Sequence, residues 1–455
     1  MATNHQHHEP TIFEMDPPEV TRDVISRTRS KGSRYWGIVG ALGLLLVLGV
    51  IGLVMRLNEG DNTKLGYLAA TFSFLFTTTQ TAPLVSIAFR LVKNHWRRPI
   101  ARASELFAIV GLFNLILFIP LMIALPGTEG RWTIWIEAAS WSPHVFDTMM
   151  LVSLIICGIG LLWAGAIPDF ASLRDNGGSR FHGIMAMGWQ GTIRNWKVQR
   201  VFLGFFGAFY FMGILWTHYV ISSDFSMSLV PGWVDSIYPT FHALSGIQAA
   251  LATMLVTAYV LKRWGGYDEY IPMETFWGIS KLFVASSLLW FYFWWSAFIT
   301  YWYGRMEGEQ AVLELINFGP YLYAWIIAFL CCFVLAVFML IWNPIRKNPG
   351  ALASIGVMVL IGCFFDRIRL FVSSWSVSDL RDKHHLKVEE VPATVLPEAA
   401  DLMIIFGLVS GAVLVYMLAS RIIPVMSIWE MRELRLYQLS KMLVRKKVMV
   451  LGKPE

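Results

Sequence analysis

The chain is short of charge. Only 15% of its 455 residues are Asp, Glu, Lys or Arg, whereas soluble domains carry about 25%. A soluble protein of this size could not cover its surface with so few charges, which excludes a soluble enzyme or a nucleic-acid binder. Cysteine is sparse too. Cys157, Cys331, Cys332 and Cys363 all lie inside apolar runs and form no CxxC or CxxCH pattern. Ligation of an iron–sulfur cluster or c-type haem by motif is therefore missing. GxxxxGK, HExxH and GxSxG patterns are also missing, so phosphate-loop, zinc-peptidase and serine-hydrolase chemistry have no support. The polar stretch 1–35 has no apolar core and reads as a cytoplasmic tail, not a signal peptide. Its His5, His7 and His8 fit a solvated tail better than a metal site.

What is abundant is apolar and aromatic: 56% of residues are hydrophobic, with 20 Trp and 31 Phe, and the mean hydropathy is +0.54. A membrane helix needs roughly 20 mostly apolar residues. Ten such runs predict spans at about 36–55, 66–92, 106–126, 144–167, 201–222, 238–261, 276–300, 319–342, 351–372 and 400–420. The fold class expected is an all-α integral membrane protein, with residues 36–420 forming the ten-helix domain. Basic residues orient it. With the spans threaded in turn, 27 Lys and Arg fall on the side of the two termini and nine on the other, leaving Lys281 inside a span. The positive-inside rule then places both termini in the cytoplasm. The last part, 421–455, is basic. From Met426 to Leu451 it reads as an amphipathic helix lying on the cytoplasmic leaflet, or as one that docks on a partner.

Ionisable residues inside spans are costly and mark sites by default. His144 and Asp147 share a helix face at the outer start of span 4, where Ser142 and Pro143 resemble an N-cap and first turn. His218 and Asp224 lie at the outer end of span 5, and His242 at the outer start of span 6. Asp366 is in outer span 9 and Asp401 opens span 10. The three histidines are either a functional cluster or interfacial side chains bonded to loop carbonyls; Asp366 either belongs with them or simply pairs with Arg369. In span 2, Thr77, Thr78, Thr79, Gln80 and Thr81 precede Pro83, which deprives the Thr79 carbonyl of its donor. That segment reads as a stretch of proton path or as a threonine-rich kink. Glu105 and Lys281 could end the path on the inner side, although Lys281 is better placed to snorkel. A cytochrome b would need paired histidines at two depths, and no inner pair exists. Outer His and Asp among aromatics (Trp141, Phe146, Trp216, Tyr219) suit a quinol, whose oxidation releases two protons.

Four segments carry a family resemblance: HYVISSDFSMSLVPGW (His218 to Trp233), RPIARASELFAI around Arg102 and Glu105, IPDFASLRD (Ile167 to Asp175), and the run from Phe276 to Gly304. Over about residues 35–425 the chain resembles the NrfD-like membrane subunits of bacterial alternative complex III, nearer the ActF type than the ActC type. The resemblance implies two four-helix bundles, spans 2–5 and 6–9, with spans 1 and 10 outside. It implies a bacterial inner-membrane complex of a respiratory or photosynthetic chain that oxidises menaquinol or another quinol. Its partners would be a multihaem cytochrome c subunit, a periplasmic iron–sulfur subunit, the sister ActC subunit, small membrane anchors and lipid. Haem c and iron–sulfur clusters would reside in those partners. His144, Asp147, His218 and Asp224 would then exchange protons or quinol, with Thr77–Gln80, Glu105, His242, Asp366 and Lys281 along a proton path. Two other classes compete: a proton- or ion-coupled secondary transporter, and a purely structural anchor for redox subunits.

Overall fold

The structure is a computed structural model; it describes residues 15–128, 139–377, 388, 390–443 and 446–451. Ten helices among them are long and apolar enough to cross a membrane. They run Ser33–Glu59, Asn62–Leu91, Arg98–Ala124, Ser142–Asp175, Ile193–Leu229, Tyr238–Arg263, Met273–Gly304, Leu322–Ile341, Pro349–Ser376 and Ala399–Ile422, and are spans 1 to 10 below. Nearly all exceed their predicted length because helical bonding continues past the apolar run into polar turns. Arg56, beyond the predicted end of span 1, is one such residue.

Span 2 is the centre of the assembly, with 89% of its apolar window buried, against 11% for span 1. Spans 2 to 5 touch in chain order, and spans 5 and 2 also meet; spans 6 to 9 repeat that pattern, with span 9 returning to span 6. Span 2 packs on spans 6 and 9 besides. Span 1 lies along span 10, which rests on spans 2 and 3. Without a hydrophobic drive between helices in lipid, small residues govern such contacts. A Cβ on Gly49 would come within 2.8 Å of the Gly407 backbone, so the two backbones cross here in direct contact. Near one end of that crossing Arg56 and Asp401, both buried, make a two-pronged ion pair at 2.9 and 2.5 Å.

The N-terminal helix Pro17–Arg29 packs on the C-terminal helix Ile428–Tyr437. It also reaches the connections after spans 4 and 6: Arg29 bonds the Leu173 carbonyl, Arg27 the Gly266 carbonyl, and Tyr270 donates to Asp23. Both described ends thus lie at one end of the bundle. The segment from Met426 departs from the expected membrane-surface helix. It is helical only to Tyr437, after which Gln438–Leu443 pairs antiparallel with Lys446–Leu451. Its helical part is held by the protein, with Ile428, Glu430, Met431 and Leu434 buried.

Candidate functional site

Span 2 holds the first unusual feature. Its helix widens to a π turn at Phe76–Gln80, just before Pro83. Proline cannot donate a backbone bond and crowds the turn before it, and single π turns are frequent at functional sites. The carbonyl that needs rescue is that of Gln80, not only that of Thr79: the buried Tyr210 hydroxyl donates to it at 2.5 Å. The threonine run divides. Thr77 and Thr78 turn their hydroxyls onto their own helix, at 2.8 Å from the Ser73 and 2.7 Å from the Phe74 carbonyl. Thr79 also donates backward, to the Leu75 carbonyl, but accepts from Gln80 at 3.2 Å and Asn114 at 3.1 Å. Gln80 in addition donates to the Phe107 carbonyl of span 3.

Thr81 turns instead to a buried pair of histidines. His218 Nδ1 and His242 Nδ1 lie 2.9 Å apart; Thr81 Oγ1 lies 2.9 Å from His218 Nε2, and Ser73 Oγ 3.1 Å from His242 Nε2. Both rings are almost wholly enclosed, at 1% and 0% exposure. A bond between two Nδ1 atoms needs one ring to donate and the other to accept. Moving that proton across reverses the sense of the neighbouring bonds to Thr81 and Ser73. The four side chains, from spans 2, 5 and 6, are therefore a short relay with two mirror-image settings. No carboxylate bonds either imidazole among the described residues, and the nearest cations include Arg367, which donates to Ser245 at 2.8 Å.

The structure does not gather the other predicted residues around this pair. His144 is half-buried, with Nε2 3.1 Å from the Leu125 carbonyl, which is the interfacial arrangement. Ser142 does not cap its helix; Trp141 occupies the cap position and Ser142 is the first helical residue. Asp147 and Asp224 are both buried, at 1% and 2% exposure. Asp224 leads into the enclosed stretch Phe225 to Trp233, where Phe225 contacts Phe72 and Phe118 and accepts a bond from Trp375. Asp366 is the ion-pair partner of Arg369 at 2.7 Å and of Arg367 at 3.3 Å, so its charge is already matched. Lys281 is exposed, with its ammonium 5.5 Å from the Trp277 ring centre, and among the described residues it bonds none of the buried groups.

Glu105 sits in a second polar cluster, at the end that carries the termini. Its carboxylate accepts from Ser86 at 2.7 Å, Arg90 at 2.8 Å and Arg102 at 3.1 Å. Arg102 continues to Asp169 of span 4 at 3.1 Å. Asp169 in turn accepts the backbone N–H groups of Ile428 and Trp429 at 3.0 and 3.2 Å, serving as a cap for the C-terminal helix supplied from another helix. Glu430 of that helix meets Arg97 at 2.9 Å and Arg90 at 3.3 Å, and Glu433 meets Arg98. Burial alone would raise the Glu430 carboxyl, but Arg97, Arg90 and Arg98 override it and hold it down at about 2. Among the described residues no hydrogen bond joins Ser86 to Thr81, so the Glu105 cluster and the histidine relay are separate polar islands along span 2.

Sequence reasoning had His218 and His242 but not their contact, and it missed Asp169 and Glu430. An acid such as Asp169 within an apolar run was the available signal. The fold and its buried charges define a multi-pass membrane protein with two internal polar centres. No protein-family model matches the chain, and no curated protein matches it.

Proposed function

We propose that the chain is an NrfD-like membrane subunit of a bacterial quinol-oxidising complex, of the alternative complex III kind and closer to its ActF than its ActC type. The observation that carries this reading is the enclosed His218–His242 pair, flanked by the Ser73 and Thr81 hydroxyls. Quinol oxidation releases two protons and two electrons. Neutral imidazoles linked to hydroxyls can take up and pass on protons where water is excluded. The electrons leave to one-electron centres of partners, an iron–sulfur subunit and a multihaem cytochrome. The packing order supports two four-helix rings, spans 2–5 and 6–9, with spans 1 and 10 outside them. The basic excess at the end of the termini supports a cytoplasmic placement of both in an inner membrane.

The test is quinol oxidation by the assembled complex carrying His218→Gln or His242→Gln. Loss of proton-coupled turnover with normal assembly is expected; full turnover in both would remove the relay from the mechanism. A proton- or ion-coupled transporter is the second reading. It draws support from π turns in both halves, at Phe76–Gln80 of span 2 and at Leu330–Val334 and Ile368–Val372 of spans 8 and 9.

A further inference from the structure

Where span 1 begins and span 10 ends, at the end of the bundle that carries the termini, two cations lie near one another without an acid. Lys31 is half-buried, and its ammonium stands 5.6 Å from the centre of the Tyr35 ring. Arg421 is exposed, with its guanidinium carbon 4.7 Å from the centre of the Trp36 ring. The Tyr35 and Trp36 rings meet edge to face at 5.4 Å. The Tyr35 hydroxyl donates to the Met417 carbonyl at 2.7 Å, which ties this start of span 1 to span 10. An aromatic face positions a cation but supplies no full negative charge.

These two differ from the arginines of the polar clusters. Arg56, Arg90, Arg97, Arg98 and Arg102 each pair with a carboxylate. Among the described residues neither Lys31 nor Arg421 does. Burial, and then the charge of Arg421, holds the Lys31 ammonium below its ordinary value. A half-buried ammonium beside a like charge is unfavourable, and an anion shared by the two relieves it. The surface that continues from these cations faces lipid. Leu418 is exposed and, three residues before Arg421, shares its helix face. Gly40, four residues after Trp36, has open space where a side chain would stand. Trp36 is itself exposed in the first turn of its span, and tryptophans at span ends sit at headgroup depth. Charge at that depth above apolar helix faces suits an amphiphile with an anionic head.

We propose that Lys31 and Arg421, set beside Tyr35 and Trp36, bind the headgroup phosphate of an anionic phospholipid in the leaflet on the side of the termini. Its acyl chains lie along spans 1 and 10, past Gly40 and Leu418. The bound lipid then joins the start of span 1 to the end of span 10. This site is independent of the quinol reading.

The experiment uses the full chain, with whatever subunits accompany it from native membranes, in phosphatidylcholine nanodiscs. The probe is phosphatidylglycerol carrying a photoreactive diazirine on its headgroup, and labelled peptides are mapped by mass spectrometry. Label is expected in 30–41 and 417–423, displaced by excess phosphatidylglycerol but not by phosphatidylcholine or inorganic phosphate. Lys31→Gln and Arg421→Gln should each lower labelling of these peptides about fivefold, and the double variant about 30-fold, as for one and two cations at a membrane surface. Arg421→Lys keeps the charge and should retain most of the label. Equal displacement by phosphatidylcholine makes this an ordinary lipid contact and overturns the proposal. Equal displacement by inorganic phosphate makes it a free-anion site and also overturns it. So does label confined to other peptides of the native chain, or undiminished labelling in the double variant.

Discussion

Replacing Glu430 by Gln should loosen the C-terminal helix without disturbing the spans. In the native protein the Glu430 carboxyl lies at about 2, against an ordinary 4.5. At about 1.4 kcal/mol per unit, that depression is worth about 3–4 kcal/mol. Arg97 returns part of it, since burial pulls its guanidinium down further than Glu430 lifts it, leaving about 2–3 kcal/mol. Because the carboxyl is depressed, the contribution is complete above pH 4.5 and disappears only as the pH falls through about 2. Docking of the helix should therefore survive at pH 4. In the Gln variant, local opening of Ile428–Tyr437 should increase about 30- to 150-fold. Hydrogen–deuterium exchange of peptides covering 426–437, in lipid nanodiscs at pH 7, reads this directly. Unchanged exchange in the variant, or undocking of the native helix already at pH 4, would refute the ion-pair argument.

Three further outcomes follow from the same geometry. Gly407→Leu places a side chain where a Cβ already comes within 2.3 Å of Gly49, so span 1 should separate from span 10 and the melting temperature in detergent should drop. Tyr210→Phe deletes the single hydroxyl bonded to the released Gln80 carbonyl and should cost about 1–3 kcal/mol of stability, measured by thermal unfolding in detergent, with no change in assembly partners. Thr81→Val removes one end of the relay while keeping its shape; proton release on quinol oxidation should slow at least tenfold, and stopped-flow with a pH dye checks it.

The spans were legible because an apolar run of bilayer length has few alternatives, and all ten appear. Their ends were not, since helical bonding continues into polar residues such as Arg56 and Asp175 once the bilayer stops dictating composition. The Asp366–Arg369 pair was one of two readings open to the sequence, because i and i+3 on a helix must meet. The His218–His242 contact was not legible: the residues are 24 apart on two helices, and only the crossing of spans 5 and 6 against span 2 aligns their Nδ1 atoms. The C-terminal helix shows the opposite error. Arg90, Arg97 and Arg98 enter the sequence reading only as part of the basic count on one side, whereas they are matched by acids more than 330 residues away in the chain. Charge counting weighs a Lys or Arg the same in either case, so it cannot separate a solvated arginine from a buried one.

The central claim is a quinol oxidoreductase subunit that moves protons through a buried histidine pair and passes electrons to partners. Purification of the tagged full chain from native membranes, with quinol oxidation assayed on the product, tests it most directly. The account predicts a multihaem cytochrome and an iron–sulfur protein in the purified complex, and quinol oxidation that falls sharply in His242→Gln. A chain that purifies alone, oxidises no quinol and is stabilised by a small solute would contradict it.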